Sequence, residues 1–419
     1  MGFNPFKEKG IPMEKQIKSW SDLNTKPYDS KSVHPYTRTR GILMNGIEVE
    51  AVMFYHNFHR SCDDMELRQH LASIRRVEQQ EQKMINWMIP AEESTLEVTI
   101  GYEQLAVDLT ASMARNEPDP YVKAALDFAL IEDFDHLYRY ANLLAMTDEK
   151  KAESIVKELT EVTPGRPTIM EHSHPVDTVR MYSDKEKAQA LTKLHIETII
   201  AAEQQTMNFY MNVGNRFNDT LGRGLYQEIA QIEEQHVTHY GSLTDPRATW
   251  FEKAVLHEYN ECYMYWSCME SEADERVKKV WQMCLENEIT HLRMVSEIMK
   301  KYEKKNPEEK YPDSFPQPLV LEPAKDYVRE VLANQMHFTG DRSKMVPFNQ
   351  SENKERYEQY LNMVNGGGFV PSQEAVTECI SSRGQDYRVE TEGPSPIELL
   401  QSREEIPNQK SLLDYYRSR

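Results

Sequence analysis

The sequence lacks the features that mark several large classes of protein. Its five cysteines form no CxxC pair, which excludes a zinc ribbon or a rubredoxin-type iron site within the chain. Their odd number fits a reducing compartment better than a disulfide framework, so we expect a cytoplasmic protein. No apolar run approaches ~20 residues, and the first residues lack the apolar core of a signal peptide. We therefore expect no membrane-spanning segment.

Basic charge is also scarce. The chain has 49 basic and 68 acidic residues, which gives a net charge of −19. A nucleic-acid partner or an anionic membrane would require a basic surface, and we expect neither partner. Carboxylates that bind cations inside the fold would contribute to the same negative total.

No stretch shows the alternation of apolar and polar residues that is typical of a half-buried strand. Apolar residues recur instead at helical spacing, and the sequence predicts an all-α fold. Breaks such as "IPAEEST" and "NEPDP" separate the helices. Ser183 and Glu186 form a candidate capping box for the fifth helix. Eight helices are predicted at 42–62, 64–88, 95–115, 118–146, 184–213, 218–241, 248–271 and 273–303.

These helices fall into two groups of four. The sequence predicts an irregular N-terminal segment, a four-helix unit, a Pro-rich connector, a second four-helix unit and an extended C-terminal region, at 1–40, 41–146, 147–183, 184–304 and 305–419. Short helices are predicted at 323–335 and 352–364, before the flexible "NGGGF" break. The C-terminal region either covers the surface of this chain or of a neighbouring subunit, or is partly disordered.

The two groups are copies of one another. A single ungapped shift of 155 residues maps Glu203, Glu233, Glu258, Glu288, His291 and His236 onto Glu48, Glu78, Glu103, Asp133, His136 and Glu81. The same shift places "FYMN" at 209–212 over "FYHN" at 54–57. This agreement indicates a tandem duplication. Within each copy the acidic positions are again 30 residues apart, which divides the copy into two helical hairpins.

The spacing of these residues suits a metal site. Residues i and i+3 lie on one helix face, so Glu233 with His236 can bind one ion and Glu288 with His291 another. The other two helices contribute one lone glutamate each. Four helices that carry Glu, Glu-x-x-His, Glu and Glu-x-x-His are typical of a dimetal carboxylate bundle. Bound cations also explain why carboxylates lie on the apolar stripe, since a buried charge without a partner costs several kcal/mol.

On these residues the second unit resembles the ferritin-like superfamily, and within it the rubrerythrins. Rubrerythrins carry an additional glutamate one turn after the lone glutamate of the third helix, and "HEYNE" at 257–261 has one in Glu261. The resemblance covers 184–303 well and 42–146 more loosely. It implies a di-iron site, with Glu261 as a movable catalytic carboxylate. The implied ligands are Glu203, Glu233, His236, Glu258, Glu261, Glu288 and His291.

The chain departs from the rubrerythrin pattern in two ways. The rubredoxin-like iron domain is absent. The link between the second and third helices is also short, because Tyr240 to Ala248 spans roughly 27 Å when extended. That length is barely enough for the end-to-end crossover of a ferritin-like bundle. An up-down-up-down order, or an exchange of hairpins between units or subunits, therefore remains open.

The first unit has diverged from the second. Glu81 stands where a histidine would be, Asp133 replaces a glutamate, and Ala106 occupies the place of Glu261. More carboxylates and fewer imidazoles favour a harder ion such as manganese. The alternative is a structural bundle whose polar groups bond to one another. The candidate ligands of this unit are Glu48, Glu78, Glu81, Glu103, Asp133 and His136.

The resemblance implies an oxidoreductase with two iron or manganese ions in the second unit and a possible second dimetal site in the first. It would react with dioxygen or hydrogen peroxide, using electrons from a separate donor protein. One alternative is a dimetal oxygenase with a hydrophobic pocket for an organic substrate. Another is an iron-binding, storage-like assembly protein whose C-terminal region organises oligomers. We also expect a homo-oligomer.

Overall fold

The computed structural model describes residues 2–168, 172–403 and 409–419. Within these ranges the chain is mostly helical, as the sequence predicts. Its eight long helices are α1 Pro35–Arg60, α2 Met65–Asn86, α3 Thr95–Asn116, α4 Pro120–Thr147, α5 Ala190–Val213, α6 Thr220–Gly241, α7 Trp250–Ser271 and α8 Glu275–Glu303. None of the described helices is both long enough and apolar enough to cross a membrane.

Capping residues explain where most of these helices begin. The side chains of Asp64, Asp119, Asp219 and Asp274 accept backbone N–H groups at the starts of α2, α4, α6 and α8. Helices α3 and α7 begin with complete capping boxes, formed by Ser94 with Glu97 and by Thr249 with Glu252.

The predicted start of the fifth helix is wrong, because α5 begins at Ala190 and not at 184. Asp184 organises a separate turn before it, in which its Oδ1 accepts the Glu186 N–H at 3.0 Å. Lys185 is held outside the helix, since its N–H donates to Asp245 and its ammonium group pairs with Glu252. The capping box predicted from Ser183 and Glu186 therefore has no helix to cap.

The chain forms two compact units, and each takes segments from both halves of the sequence. From here on, the first unit means the compact unit formed by Met1–Glu92, Ser183–Gln205 and Asp245–Val320. The second unit means the one formed by Glu93–Tyr182, Thr206–Thr244 and Leu321–Arg419. Hairpins α1–α2 and α7–α8 therefore belong to the first unit, whereas hairpin α3–α4 and helix α6 belong to the second. The predicted four-helix units, 41–146 and 184–304, are each divided between the two compact units.

The short connectors give a physical reason for this division. Helices α2 and α3 have 22 residues each, which makes them about 33 Å long. The chain from Asn86 to Thr95 spans roughly 30 Å at most, as does that from Gly241 to Trp250. A crossover along the full length of one bundle would therefore require an almost fully extended connector, and the next hairpin lies in the other unit instead.

The C-terminal region belongs to the first unit as far as Val320 and to the second unit from Leu321 onward. Its elements are α9 Lys325–Gln335, the antiparallel strands β1 Phe338–Asp341 and β2 Lys344–Pro347, α10 Lys354–Val364, α11 Pro371–Arg383 and α12 Gln409–Ser418. The predicted helices at 323–335 and 352–364 are confirmed as α9 and α10. Val328, Leu332 and Phe348 share a buried apolar cluster with Leu130 of α4 and Val107 of α3.

The N-terminal segment lies along α8 in the first unit. The Ile11 N–H donates to the Glu286 carbonyl at 2.8 Å, and the Thr290 hydroxyl donates to the Ile11 carbonyl at 2.7 Å. Gly10 has no room for a side chain, because a Cβ there would lie 2.3 Å from Thr290 Oγ1. This close approach brings Gln16 down to α8, where it meets a candidate metal ligand.

Candidate metal centres

Seven buried side chains converge in the first unit, where each is at most 2% exposed. They come from four helices: Glu48 from α1, Glu78 and Glu81 from α2, Glu258 and Glu261 from α7, and Glu288 and His291 from α8.

Two overlapping groups of possible ligands share two carboxylates. One group is Glu78, Glu258, Glu288 and His291, and the other is Glu48, Glu78, Glu81 and Glu288; within each group the ligand atoms lie within 4.8 Å of one another. Because Glu78 and Glu288 belong to both groups, each can offer one oxygen to each of two ions. The arrangement suits a pair of cations bridged by two carboxylates.

His291 is held in a defined orientation by the N-terminal segment. The Gln16 amide donates to the carbonyls of Ile11 and Asn287, which leaves Gln16 Oε1 as an acceptor. His291 Nε2 therefore donates its proton to Gln16 Oε1 at 2.8 Å. Its Nδ1 lies 2.9 Å from an oxygen of Glu78 and 2.9 Å from one of Glu288. A metal-binding histidine typically donates its other N–H to such an acceptor.

The first-unit cluster has strongly perturbed pKa values. Burial, with the charge of Glu78, raises the pKa of Glu81 to about 7, and burial raises that of Glu258 to about 7. Burial alone would lower the pKa of His291, but the negative charges of Glu78 and Glu258 raise it to about 9. Bound cations would favour the ionised carboxylates and so oppose the rise in their pKa values.

Several carboxylate oxygens of this cluster accept no hydrogen bond from the described residues. They include both oxygens of Glu261, Oε2 of Glu78 and Oε1 of Glu288. A buried acceptor without a partner costs roughly 1–3 kcal/mol. The donor set and its unpaired oxygens therefore fit a site for divalent cations.

Glu261 lies outside both groups of four. Its Oε1 is 3.5 Å from His257 Nε2, and burial lowers the pKa of His257 to about 4. Burial and the charges of Glu78 and Glu258 raise the pKa of Glu261 well above its usual range. Its role as a ligand remains a prediction.

The second unit brings together five further candidates: Glu103 from α3, Asp133 and His136 from α4, and Glu233 and His236 from α6. His136 Nδ1 lies 2.9 Å from Glu233 Oε1 and 3.9 Å from Glu103 Oε2. His236 Nδ1 lies 3.4 Å from Glu233 and 3.4 Å from Asp133. Glu233 thus faces both imidazoles, as a bridging carboxylate would.

Electrostatics in this cluster differ from those in the first unit. Burial would raise the pKa of Glu233, but hydrogen bonds from His136 and His236 hold it well below its usual range. Burial raises the pKa of Asp133 to about 6. His239 points elsewhere, because its Nδ1 accepts from Arg180 and its Nε2 lies 3.0 Å from the Ala125 carbonyl.

Glu203 is buried on α5, in the stretch that belongs to the first unit, which ends at Gln205. Glu233 and His236, its predicted partners, belong to the second. It therefore remains a predicted ligand.

Equivalent tyrosines bond to equivalent carboxylates in the two units. Tyr55 donates to Glu258 in the first unit, and Tyr210 donates to Glu103 in the second. The shift of 155 residues maps Tyr55 onto Tyr210 and Glu103 onto Glu258. Both tyrosines belong to the "FYHN" and "FYMN" repeats, so the sequence marked their positions as equivalent. It carried none for Gln16, which lies in a segment expected to be irregular.

The two compact units group the predicted ligands differently from the sequence repeat. Seven residues of the second half were expected to form one site. The structure places Glu258, Glu261, Glu288 and His291 in the first unit, with the first-half residues Glu48, Glu78 and Glu81. Glu233 and His236 lie in the second unit, with Glu103, Asp133 and His136. The α1–α2 hairpin, which the sequence paired with α3–α4, shares its unit with α7–α8.

Comparison of the chain with family models, with curated proteins and with solved structures finds no match in any of the three. The chemistry of the two clusters is therefore argued from their geometry.

Proposed function

We propose that the protein is a non-haem dimetal oxidoreductase that reacts with dioxygen or hydrogen peroxide. The observation that carries this proposal is the pair of ligand groups joined by Glu78 and Glu288. Carboxylates shared between two ions are typical of dimetal carboxylate proteins. The second-unit cluster, with Glu233 between His136 and His236, supports a further dimetal centre.

Iron or manganese bound at these clusters would supply the electrons that reduce the oxidant. Reduction of one hydrogen peroxide to two waters takes two electrons and two protons. The chain has no CxxC pair for a second redox centre, so a separate donor protein would supply the electrons. The first-unit cluster has six carboxylates and one imidazole, which favours the harder manganese ion, whereas the imidazoles of the second favour iron.

Several side chains would keep the ligands in place and keep water out. Gln16 fixes the orientation of His291, and Tyr55 and Tyr210 each hold one oxygen of a ligand carboxylate. Glu261 accepts no hydrogen bond from the described residues, so no such bond would have to break if it changed position. We infer that it is the movable carboxylate.

The metal content of anaerobically purified protein tests the proposal. Two centres predict about four ions per chain. Glu78→Ala should remove about two of these, and Glu233→Ala should remove the other two. Exposed glutamates on the same or a neighbouring helix provide matched controls, in Glu297→Ala and Glu234→Ala. Wild-type protein that contains no iron or manganese, or retention of all metal in both site variants, would contradict the proposal.

Turnover measurements separate the possible activities. Rapid reduction of hydrogen peroxide by a chemical reductant, without consumption of dioxygen, would indicate a peroxidase. Consumption of dioxygen in the presence of the same reductant would indicate an oxidase or an oxygenase. Slow turnover together with a large hollow particle in light scattering would favour iron storage.

A further inference from the structure

An exposed apolar surface lies where the N-terminal segment meets α2 in the first unit. Trp20 is 82% exposed, Ile17 is 55% exposed, and Trp87, directly after α2, is 43% exposed. The segment is tied to the helix here, because the Lys18 N–H donates to Gln80 Oε1 at 2.8 Å and Gln80 Nε2 donates to the Lys18 carbonyl at 3.3 Å. Exposed tryptophans of this kind are typical of surfaces that contact another protein.

Two exposed basic side chains lie on the same face of α2 as Trp87. Lys83 follows Arg76 by seven residues and precedes Trp87 by four, which is the spacing of one helix face. The Tyr28 N–H donates to the Met88 carbonyl at 2.9 Å, so the N-terminal segment stays beside the helix as far as its end. The outer face of α2 is therefore defined by Arg76, Lys83 and Trp87 together with Ile17, Lys18 and Trp20.

The charge of this outer face is opposite to that of the whole chain. Residues 67–90 include four basic side chains and two acidic ones, and both acids, Glu78 and Glu81, are buried in the first-unit cluster. Residues 14–26 add three basic and two acidic side chains. Because the net charge of the chain is −19, an acidic protein would be repelled by the chain as a whole and attracted at this face.

The outer face is also close to the candidate metal ligands. Glu78 and Glu81 project from the opposite side of α2, and an α-helix with its side chains is roughly 10 Å across. In the N-terminal segment, Gln16 accepts the Nε2 proton of His291 at 2.8 Å, and Ile17 follows Gln16 directly. An electron that arrives at this face would therefore have to cross one helix, or one hydrogen-bonded side chain, to reach the cluster.

We propose that the outer face of α2 is the docking site of an acidic one-electron carrier protein, which supplies electrons to the first-unit centre. The role in electron transfer rests on the proposed dimetal function, whereas docking itself requires no metal. Each reduced carrier gives up one electron and leaves in its oxidised form. Two encounters supply the two electrons that, with two protons from the solvent, reduce one hydrogen peroxide to two waters.

Binding of an acidic plant-type [2Fe–2S] ferredoxin to the full-length, metal-free protein tests the docking site. Isothermal titration calorimetry should show binding that weakens by about tenfold between roughly 0.05 and 0.5 M salt. The double variant Arg76→Glu with Lys83→Glu should weaken binding by about tenfold or more at low salt. Lys151→Glu with Arg216→Glu, at exposed positions of the second unit, is the control because it changes the net charge equally.

The apolar part of the face has its own test. Trp20→Ser should weaken ferredoxin binding by about tenfold and leave the salt dependence unchanged, because it removes an exposed anchor and no charge. Met211→Ser, which replaces an exposed apolar side chain of the second unit, should have no effect. Stopped-flow oxidation of reduced ferredoxin by the metal-loaded protein should slow about tenfold in the Trp20 variant and in the Arg76 and Lys83 variant.

Absence of ferredoxin binding to the wild type, or equal affinity in the Arg76 and Lys83 variant and its control, would overturn the docking proposal. So would light scattering in which these substitutions dissociate a dimer without a change in ferredoxin affinity, because the face would then join two copies of the chain. Tighter binding of single-stranded DNA than of ferredoxin, lost in the same variant, would likewise contradict it.

Metal content measured on the same preparations separates this proposal from the proposed function. Protein that is purified with metal but does not bind ferredoxin refutes the docking site alone. Protein that binds ferredoxin through the outer face but contains no iron or manganese refutes the dimetal function alone.

Discussion

Gln16 shows how a single side chain outside the helices can orient a buried candidate ligand. By accepting the Nε2 proton of His291, it directs Nδ1 toward Glu78 and Glu288. Partners of this kind typically change metal affinity by 10–100-fold when they are lost. Gln16 is therefore a positioning residue for the first-unit cluster.

We expect Gln16→Ala to weaken metal binding in the first unit by about tenfold or more, without an effect on the second unit. Titration with a competing chelator measures both affinities in one sample. Lys15→Ala, at an exposed neighbouring position, is the control. Equal weakening of both centres would show a general loss of structure and would refute the specific role of Gln16.

The sequence predicted which Glu and His side chains are buried better than it predicted which of them lie together. Glu and His recur at fixed spacing on the apolar stripes of the helices. This local pattern was enough to predict which of these side chains are buried. The contact between Gln16 and His291 joins residues 275 positions apart, and no local pattern encodes it. The tyrosines were predictable only in part. The repeats "FYHN" and "FYMN" showed that they recur, but not that their hydroxyls donate to carboxylates.

At the level of helices and hairpins, the pairing was not predictable from the repeat. Hairpins α3–α4 and α7–α8 derive from the same ancestral segment and present similar faces. Either hairpin could therefore provide the acidic and His side chains that face those of the α1–α2 hairpin. Connector length favours the observed pairing, because the chain from Asn86 to Thr95 would have to be almost fully extended to pass along these helices. The short connectors were visible in the sequence, but they left several arrangements of the helices possible.

The capping box at the start of α7 tests whether the stability of a helix can change without a change in metal binding. Thr249 Oγ1 accepts the Glu252 N–H at 3.1 Å, and the Glu252 side chain accepts the Thr249 N–H at 3.1 Å. We expect Thr249→Ala to lower the free energy of unfolding by about 1 kcal/mol. Chemical denaturation measures this loss, and Thr249→Ser should restore most of it. Metal stoichiometry should not change, because Glu258 lies more than two turns further along the helix.

At the scale of the whole molecule, the excess of acid groups makes stability depend on pH. In the metal-free protein, neighbouring carboxylates raise the pKa of His291 from 6.5 to about 9. The folded state therefore binds a proton that the unfolded chain has released. This contribution is fully present below pH 6.5 and is lost as the pH rises to about 9.

We expect the metal-free protein to become less stable between pH 6.5 and 9, by an amount on the order of a few kcal/mol. Bound metal should reverse this trend, because it requires deprotonated ligands. Thermal unfolding with and without chelator across this pH range measures both effects. His291→Gln should reduce the slope of the metal-free protein, and the carboxyls with raised pKa values would account for the slope that remains. A slope that is unchanged in this variant would rule out His291 as its cause.

Division of the chain at the connector tests the exchange of hairpins. Fragments 2–168 and 172–419 each contain hairpins of both compact units. We expect a monomeric fragment to hold less than about one metal ion per chain, and the two fragments together to recover the content of the intact protein. Light scattering verifies the monomeric state, and elemental analysis gives the metal content. A monomeric 172–419 fragment that holds two ions would support independent tandem units instead.

The exchange of hairpins also has an evolutionary consequence. A half-length ancestor with two hairpins could not have formed a complete cluster of ligands within one chain. Two copies that swapped one hairpin across a two-fold axis would have built two identical constellations at once. Gene fusion then made the pair permanent and released each member from symmetry. One could become richer in carboxylates while the other kept two imidazoles.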